Sequence, residues 1–176
     1  HQRLFVCLAI LVPVKGHSDL LRAFRAVHET CRDARLALLG DGPLRAALEE
    51  QTRRHGTSAA VRFAGHVPYE RVPDWIAAAD ALVLPSLNEG TPLAALESLT
   101  SGRPVVGTRV GGIPEVVRDE TLGRVVGPGD PEALAAAMRE VLDVEWDVER
   151  LHARGTEYAW SRLMQEVLSI YRELLP

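Results

Sequence analysis

The sequence lacks the local signals of several protein classes. Only two of its 176 residues are cysteine, and Cys7 and Cys31 show neither disulfide-framework nor metal-knuckle spacing. Both are typical of packing thiols in a reducing compartment. No apolar run approaches the ~20 residues that a membrane-spanning helix needs. The net charge is −4 without a basic block, so the composition gives no support for nucleic-acid binding.

Several motifs of nucleotide and nucleophile chemistry are also missing. There is no Gly-x4-Gly-Lys run, which disfavours ATP hydrolysis, and no Gly-x-Gly-x-x-Gly after a predicted strand, which disfavours a nicotinamide cofactor. No Asp-x-Asp pair marks a metal-diphosphate clamp, and the histidines lack metal-ligand spacing. Ser86 does not lie in the Gly-x-Ser-x-Gly setting of a nucleophile elbow. We therefore expect neither a metal ion nor a cofactor.

The chain instead shows short apolar strands that alternate with helices. The predicted strands are Leu4–Leu11, Leu36–Leu39, Val61–Ala64, Ala81–Leu84, Val105–Gly107 and Gly123–Val126. The predicted helices include His17–Thr30, Leu44–Arg54, Pro73–Ala79 and one that Asp130 caps and that runs to about Leu142. This alternation predicts one α/β domain, a doubly wound Rossmann-like parallel sheet with helices on both faces.

Ligands of such sheets bind beyond the carboxyl ends of the strands. The loops at that edge are Val12–Gly16, Gly65–Pro68, Pro85–Gly90 and Thr108–Ile113. In the first of them Lys15 could meet a diphosphate, although a solvated loop lysine is the commoner case. His66 in the second could line a base pocket, and a plain surface role is at least as common.

The most informative segment runs from Glu89 to Glu97, across a predicted loop-to-helix junction. Pro92 is a helix start signal, and the N–H groups expected to be free at this helix N-terminus are those of Gly90, Thr91 and Leu93. Such a terminus suits a phosphate. Glu97, one turn and a half into the helix, could then reach a polyol attached to that phosphate. Glu89, on the loop in front, could bind hydroxyls at the other end of the ligand. Two glutamates at this spacing are by themselves more often solvated surface residues.

With these segments in this order, the chain resembles the C-terminal domain of a family 4 (group 1) retaining glycosyltransferase of the two-domain GT-B fold. The stretches that carry the resemblance are Val12–Gly16, Gly40–Pro43, Val61–Val67, Ala79–Ser86, Glu89–Glu97, Gly102–Val106, Gly111–Glu115 and Trp160–Leu175. The resemblance implies that residues 1–176 are a single domain that binds a nucleotide-sugar donor, without metal or cofactor. It also implies a cytoplasmic protein that could act at the inner face of the membrane.

The resemblance also assigns roles. Glu97 would hold the ribose hydroxyls, Glu89 the hydroxyls of the transferred sugar, and Lys15 the diphosphate, so that Glu89 and Lys15 form the catalytic pair. The remaining donor-binding residues would be Gly90, Thr91, Pro92 and Leu93 at the diphosphate and Gly65, His66 and Val67 at the base. A missing N-terminal domain would bind the acceptor, which would be a glycan, a lipid or a small molecule. The apolar residues at 159–175, Leu163 among them, predict a helix that either packs on this domain, the commoner case, or bridges to the missing one.

One departure from the family pattern concerns the end of the first strand. The family usually has Gly-Arg there, and its Arg is a second cation for the diphosphate, whereas this chain has Ala9-Ile10. Two alternatives stay open beside a hexosyl-transferring enzyme, the first because of Ile10 and the second because the paired glutamates could be accidental. The first is a non-catalytic module of the same fold that binds a nucleotide or sugar phosphate. The second is an unrelated flavodoxin-like domain.

Overall fold

A six-stranded parallel sheet forms the centre of the part of the chain that the structure, a computed structural model, describes. That part comprises residues 2–175, without the side chains of residues 160–163 and 166. The strands are β1 (Arg3–Leu8), β2 (Ala34–Leu39), β3 (Val61–Gly65), β4 (Ala81–Leu84), β5 (Val105–Thr108) and β6 (Gly123–Val126). Each neighbouring pair is parallel. The predicted fold class is therefore confirmed.

The strand order is β3-β2-β1-β4-β5-β6. The chain thus adds β2 and β3 on one side of β1 and then returns to place β4 on the other side. At this topological switch point the connections after β1 and β4 lead to opposite faces of the sheet and leave a crevice at its carboxyl edge. Ligands of doubly wound sheets bind at such a point.

Helices cover both faces of the sheet. The helices along the described chain are α1 (His17–Thr30), α2 (Arg45–His55), α3 (Val72–Ala78), α4 (Leu93–Thr100), α5 (Ile113–Val116), α6 (Pro131–Glu140), α7 (Val148–Thr156) and α8 (Trp160–Leu174). In β1, Phe5 and Cys7 point to the face covered by α1, α2 and α6, whereas Val6 points to the face covered by α4, α5 and α7. Both layers are tightly buried, and each fully buried large apolar side chain contributes about 1.5–3 kcal/mol to folding.

The first strand is shorter than predicted, since β1 ends at Leu8 rather than Leu11. Beyond it the backbone of Leu11 bonds to the loop after β2, donating to the Asp41 carbonyl and accepting from the Leu44 N–H. The Leu11 side chain is buried in the core, while Ile10 faces outward. The continuous apolar run therefore covers three environments, which are the strand β1, the exposed position of Ile10 and the buried position of Leu11.

Helix α7 was not predicted. It begins after Asp147, whose carboxylate accepts the backbone N–H of Arg150 at 3.0 Å. It packs closely on α4, because Gly155 lies so near Thr100 that a Cβ atom would overlap its backbone and side chain. Asp130 caps α6 as predicted, accepting from the Ala133 N–H at 2.9 Å, and that helix ends at Glu140, two residues before the expected end.

The last helix, α8, carries an exposed apolar stripe. Its described large apolar side chains are all exposed, namely Met164, Val167, Leu168, Ile170, Tyr171 and Leu174. Leu163, a further apolar residue of this helix, lies outside the described side chains. That α8 bridges to a second domain stays a prediction. Within residues 2–175 no helix has the length and apolar character to cross a membrane.

Candidate functional site

Two loops meet at the switch point, one after β1 and one after β4. Lys15 ends a short 3-10 turn, Pro13–Lys15, and Gly16 follows with a φ of 66°. At Gly16 the two loops touch backbone to backbone, because a Cβ atom there would overlap the Pro85 carbonyl. A hydrogen bond of 2.8 Å from the Leu87 N–H to the Val14 carbonyl fixes the same contact. The loop that carries Lys15 is thereby held against the loop that carries Glu89.

The side chains of Lys15 and Glu89 form an ion pair across this junction. The Lys15 Nζ atom lies 2.9 Å from both carboxylate oxygens of Glu89. The hydroxyl of Ser86, which is buried, donates to the Glu89 Oε2 atom at 2.9 Å. Both charged side chains are mostly shielded, with exposures of 22% for Lys15 and 13% for Glu89. Salt screens the attraction within such a shielded ion pair only weakly. The pair therefore holds the side chains of Lys15 and Glu89 at the crevice.

The third loop of the edge, after β5, supports Glu89 from behind. Gly111 lies against the Glu89 backbone so closely that a Cβ atom would overlap its carbonyl. The Gly112 N–H donates to the Gly90 carbonyl at 3.0 Å. The Thr108 hydroxyl at the end of β5 donates to the Ser86 carbonyl. Glu89 therefore projects from a loop whose backbone is tied down on both sides.

The start of α4 differs in one respect from the prediction. The Leu93 N–H is not free, because it donates to the Thr91 carbonyl at 2.9 Å across Pro92, whose φ and ψ are −80° and 76°. These angles are those of an inverse γ-turn, in which the N–H two residues on is consumed. The N–H groups of Gly90 and Thr91 have no hydrogen-bond acceptor within the described part of the chain. Those two amides remain available to an anion.

Glu97 lies on α4, away from the ion pair, in the wall of a cleft of about 450 Å³. Other residues that line this cleft are Ile10, Asp41, His66, Val67 and Tyr69. Within residues 2–175 the Glu97 carboxylate makes no hydrogen bond. Burial raises the pKa of this carboxyl group above its usual range. Glu97 is therefore a partly desolvated acceptor in need of donors.

The loop after β3 forms the opposite side of the cleft. Gly65 adopts a φ of 71°, and its carbonyl accepts the Gly40 N–H at 2.8 Å. His66 is exposed and Val67 half-buried. The structure thus brings His66 and Val67, two of the predicted base-binding residues, to one cleft with Glu97, while Gly65 precedes them at the end of β3. It places Lys15 and Glu89 beside each other at the neighbouring switch point.

Ile10 lines the same cleft and is 56% exposed. It is not a core residue, although it ends an apolar run. An exposed isoleucine at a polar edge neither supports the core nor contacts an anion favourably. Within the described residues, Lys15 is therefore the positively charged side chain that the loop after β1 places at the switch point.

Sequence reasoning missed three residues of this region. Ser86 was considered only as a nucleophile, and its hydrogen bond to Glu89 depends on a loop conformation that spacing does not reveal. Asp41 lines the cleft, and the Gly42 N–H, followed by the Arg45 guanidinium, holds its pKa below the usual range. His17 is buried, and burial, followed by the charge of Lys15, lowers its pKa to about 4, so it is neutral beside the lysine.

No three His, Cys, Asp or Glu side chains of the described residues come together as a metal-binding group. The arrangement can bind an anion at Lys15 and the two free amides, and hydroxyl groups at each glutamate. A polyphosphate flanked by two polyols fits this order of groups along the edge.

The comparisons with known proteins point to one family. A family model described as "Glycosyl transferases group 1" matches residues 2–144. The D-inositol 3-phosphate glycosyltransferase of Corynebacterium diphtheriae is 34% identical over 182 aligned positions, which cover 97% of this chain and 42% of the relative. The chain spans less than half of the length of the curated relatives that it matches.

Solved structures agree with the fold. The sucrose-phosphate synthase of Thermosynechococcus elongatus is 26% identical, with a TM-score of 0.83 over 98% of this chain and 45% of that one. The HepE protein of Anabaena, in complex with UDP and glucose, has a TM-score of 0.79 over 96% of this chain and 48% of that one. Its identity of 23% supports the likeness of fold alone.

Proposed function

We propose, because this chain belongs to the group 1 glycosyltransferases, that it is the donor-binding half of a GT-B enzyme that transfers a hexosyl group from a nucleoside-diphosphate sugar with retention of configuration. The single observation that carries the proposal is the pairing of Lys15 with Glu89 across the switch point, next to a cleft that holds Glu97. Doubly wound sheets bind nucleotides at this point.

The proposed donor lies along the carboxyl edge of the sheet. Its base occupies the cleft beside Gly65, His66 and Val67, and its ribose hydroxyls donate to Glu97. The raised pKa of Glu97 reflects desolvation without a partner, which hydroxyl donors would relieve. The cleft volume of about 450 Å³ lies within the usual range for small-molecule sites.

The diphosphate lies at the switch point in this proposal. Lys15 donates to its oxygens, and the Gly90 and Thr91 amides, in front of α4 with Pro92 and Leu93, contact it as well. Glu89 accepts from hydroxyls of the sugar. Catalysis by Lys15 and Glu89 is then positioning together with stabilisation of the negative charge on the departing diphosphate. The proposal needs no metal ion or cofactor, because the charge is met by an ammonium group and amide dipoles.

The acceptor half of the cleft belongs, in this proposal, to an N-terminal GT-B domain. The exposed apolar stripe of α8 supports a helix that packs on such a domain, because contiguous apolar surface of this kind marks an interface. The acceptor is a glycan, a lipid or a small molecule. We propose a cytoplasmic site of action, which includes the inner face of the membrane.

Ile10 favours a second candidate, a non-catalytic module that binds a nucleotide or sugar phosphate. The residue stands where the resembling family has an arginine, so one contact to the diphosphate is missing. A module that only binds can tolerate a weaker hold on the leaving group than an enzyme can.

Calorimetric titration of the chain with UDP, GDP, ADP and FMN tests nucleotide binding. We expect one nucleoside diphosphate to bind with heat and FMN to give none; binding of FMN alone would support the flavodoxin-like alternative. Sugar transfer by the complete two-domain protein separates the enzyme from the module. Robust turnover by residues 1–176 alone would contradict the two-domain proposal.

A further inference from the structure

In the ion pair with Glu89, Lys15 uses the same ammonium group that a diphosphate would bind. Lys15 is the only lysine in the sequence. An ammonium group has three donors, and here its nitrogen lies 2.9 Å from both oxygens of Glu89. At most two of the three donors face Glu89, so a diphosphate that binds through the third meets the negative charge of the carboxylate, and one that uses more donors must displace it.

We propose that Glu89 competes with the diphosphate for Lys15, and that Ser86 is the positioning residue that holds Glu89 for this competition. The inference rests on the proposed function, since it assumes a nucleoside diphosphate at the switch point. Its structural basis is the contact of Glu89 with both Lys15 and Ser86. Ser86 donates to the oxygen Oε2 that Lys15 also contacts, and Thr108 fixes the Ser86 backbone through its carbonyl.

The competition makes the two ends of the donor interdependent. A complete nucleotide sugar offers hydroxyl donors to Glu89 at the same time as phosphate oxygens to Lys15, so both partners of the pair are satisfied. A nucleoside diphosphate without the sugar separates the pair and offers Glu89 nothing in return. The site therefore favours the intact donor over the nucleoside diphosphate that transfer leaves behind, and the ion pair assists release of that product.

The test is the affinity for UDP of the wild type and of Glu89→Gln. If Glu89 served the sugar alone, the substitution would leave the affinity for UDP unchanged. Competition predicts that Glu89→Gln binds UDP about three- to tenfold more tightly, the size expected for release of a shielded ion pair. The matched control is Glu145→Gln, an exposed glutamate beyond α6 that loses the same charge. It should leave the affinity unchanged.

Ser86→Ala separates positioning from a general effect on the loop. If Ser86 acts through Glu89, its substitution should change UDP affinity in the wild type and have no further effect in the Glu89→Gln background. Equal effects of Ser86→Ala in both backgrounds would assign Ser86 a purely structural role and overturn this part of the proposal. Thermal unfolding of each variant shows that the comparison is made between folded proteins.

Because Lys15 is the only lysine, amine acetylation followed by mass spectrometry of its peptide reports on it without any nucleotide. The proposal predicts faster acetylation of Lys15 in Glu89→Gln than in the wild type and in Glu145→Gln. Wild-type binding of none of UDP, GDP or ADP would overturn the proposed function and this inference with it. If the wild type binds GDP or ADP instead of UDP, the same comparison is made with that nucleotide. An affinity that Glu89→Gln leaves equal or weakens would overturn the competition alone.

Discussion

The two glutamates of one short segment, Glu89 and Glu97, stand in opposite physical states. Glu89 is shielded and fully partnered, by Lys15 and by Ser86. Glu97 is half-buried and without a hydrogen bond to its carboxylate in the described residues, and burial raises its pKa. Residue type and segment are the same, so the difference comes from what the fold places opposite each side chain. The Glu89 carboxylate is fixed by its partners, whereas the Glu97 carboxylate has acceptor positions available for a ligand.

The same contrast separates the two ends of the proposed site. The switch point is charged and built from loops in backbone contact, whereas the cleft at Glu97 is lined mainly by apolar and exposed side chains. We expect changes at the switch point to alter both structure and affinity. Changes in the cleft should alter affinity alone.

The largest effect is expected from Gly16→Ala, which breaks the contact between the two loops. The new methyl group would overlap the Pro85 carbonyl at a backbone φ of 66°. We expect a loss of unfolding free energy of about 3 kcal/mol or more, from the left-handed strain and the clash together. Chemical denaturation measures it. Gly56→Ala is the matched control, since Gly56 has a φ of 69° with nothing within 4 Å. It should cost only about 1 kcal/mol, and equal losses in the two variants would show that the loop contact contributes nothing.

The next effect in size is that of Lys15→Met on UDP affinity. The change removes the charge-assisted contact and also leaves Glu89 unpaired beside the diphosphate. We expect a loss of about 2–3 kcal/mol, or roughly 30- to 150-fold in affinity. Calorimetric titration measures this loss, with Arg54→Met, at an exposed position of α2, as the control that loses the same charge. Unchanged affinity in Lys15→Met would remove the diphosphate from the switch point.

Glu97→Gln should weaken UDP binding by about 1–2 kcal/mol, because a half-exposed carboxylate loses its charge-assisted bonds to the ribose. The raised pKa gives this prediction a sign with pH. As the pH falls through that raised pKa, Glu97 takes up a proton and accepts hydroxyl donors less well, so wild-type affinity should fall at a higher pH than an ordinary carboxyl group would cause. Titrations over a pH series should show this component in the wild type and not in Glu97→Gln. Parallel profiles would exclude Glu97 from the ribose site.

The smallest effect is expected from Ile10→Arg. Ile10 is 56% exposed in the cleft wall, so an arginine there need not bury its charge. The added cation should tighten UDP binding by about five- to tenfold, and the gain should shrink as salt is added. Affinity measured at two salt concentrations, with the melting temperature without UDP, checks this expectation. A well-folded Ile10→Arg protein with unchanged affinity would show that this strand end does not face a phosphate.

The sequence was a good guide wherever one local pattern decided the outcome. The alternation of strands and helices predicted the sheet, and α1 and β4 have the predicted ends. The resemblance to group 1 glycosyltransferases is confirmed at the level of the family. Composition and order suffice for these inferences because strands buried on both faces have few alternatives.

Contacts between distant residues were not predictable in the same way. The ion pair of Lys15 with Glu89 joins residues 74 positions apart, and nothing in either loop's own sequence specifies it. The Leu93 N–H was expected to be free and is consumed by a turn at Pro92. Helix α7 escaped prediction because its one start signal, Asp147, stands in a polar stretch without a strong apolar run. The ion pair depends on tertiary packing, whereas the turn at Pro92 depends on local backbone angles that the residue types do not specify.

The most direct test of the central claim, a nucleoside diphosphate across the switch point, is a crystal structure of the chain soaked with UDP. The account predicts diphosphate oxygens within hydrogen-bond distance of Lys15 Nζ, ribose hydroxyls on the Glu97 carboxylate and the base beside His66. UDP bound at another place on the molecule, or with its diphosphate turned away from Lys15, would contradict the account.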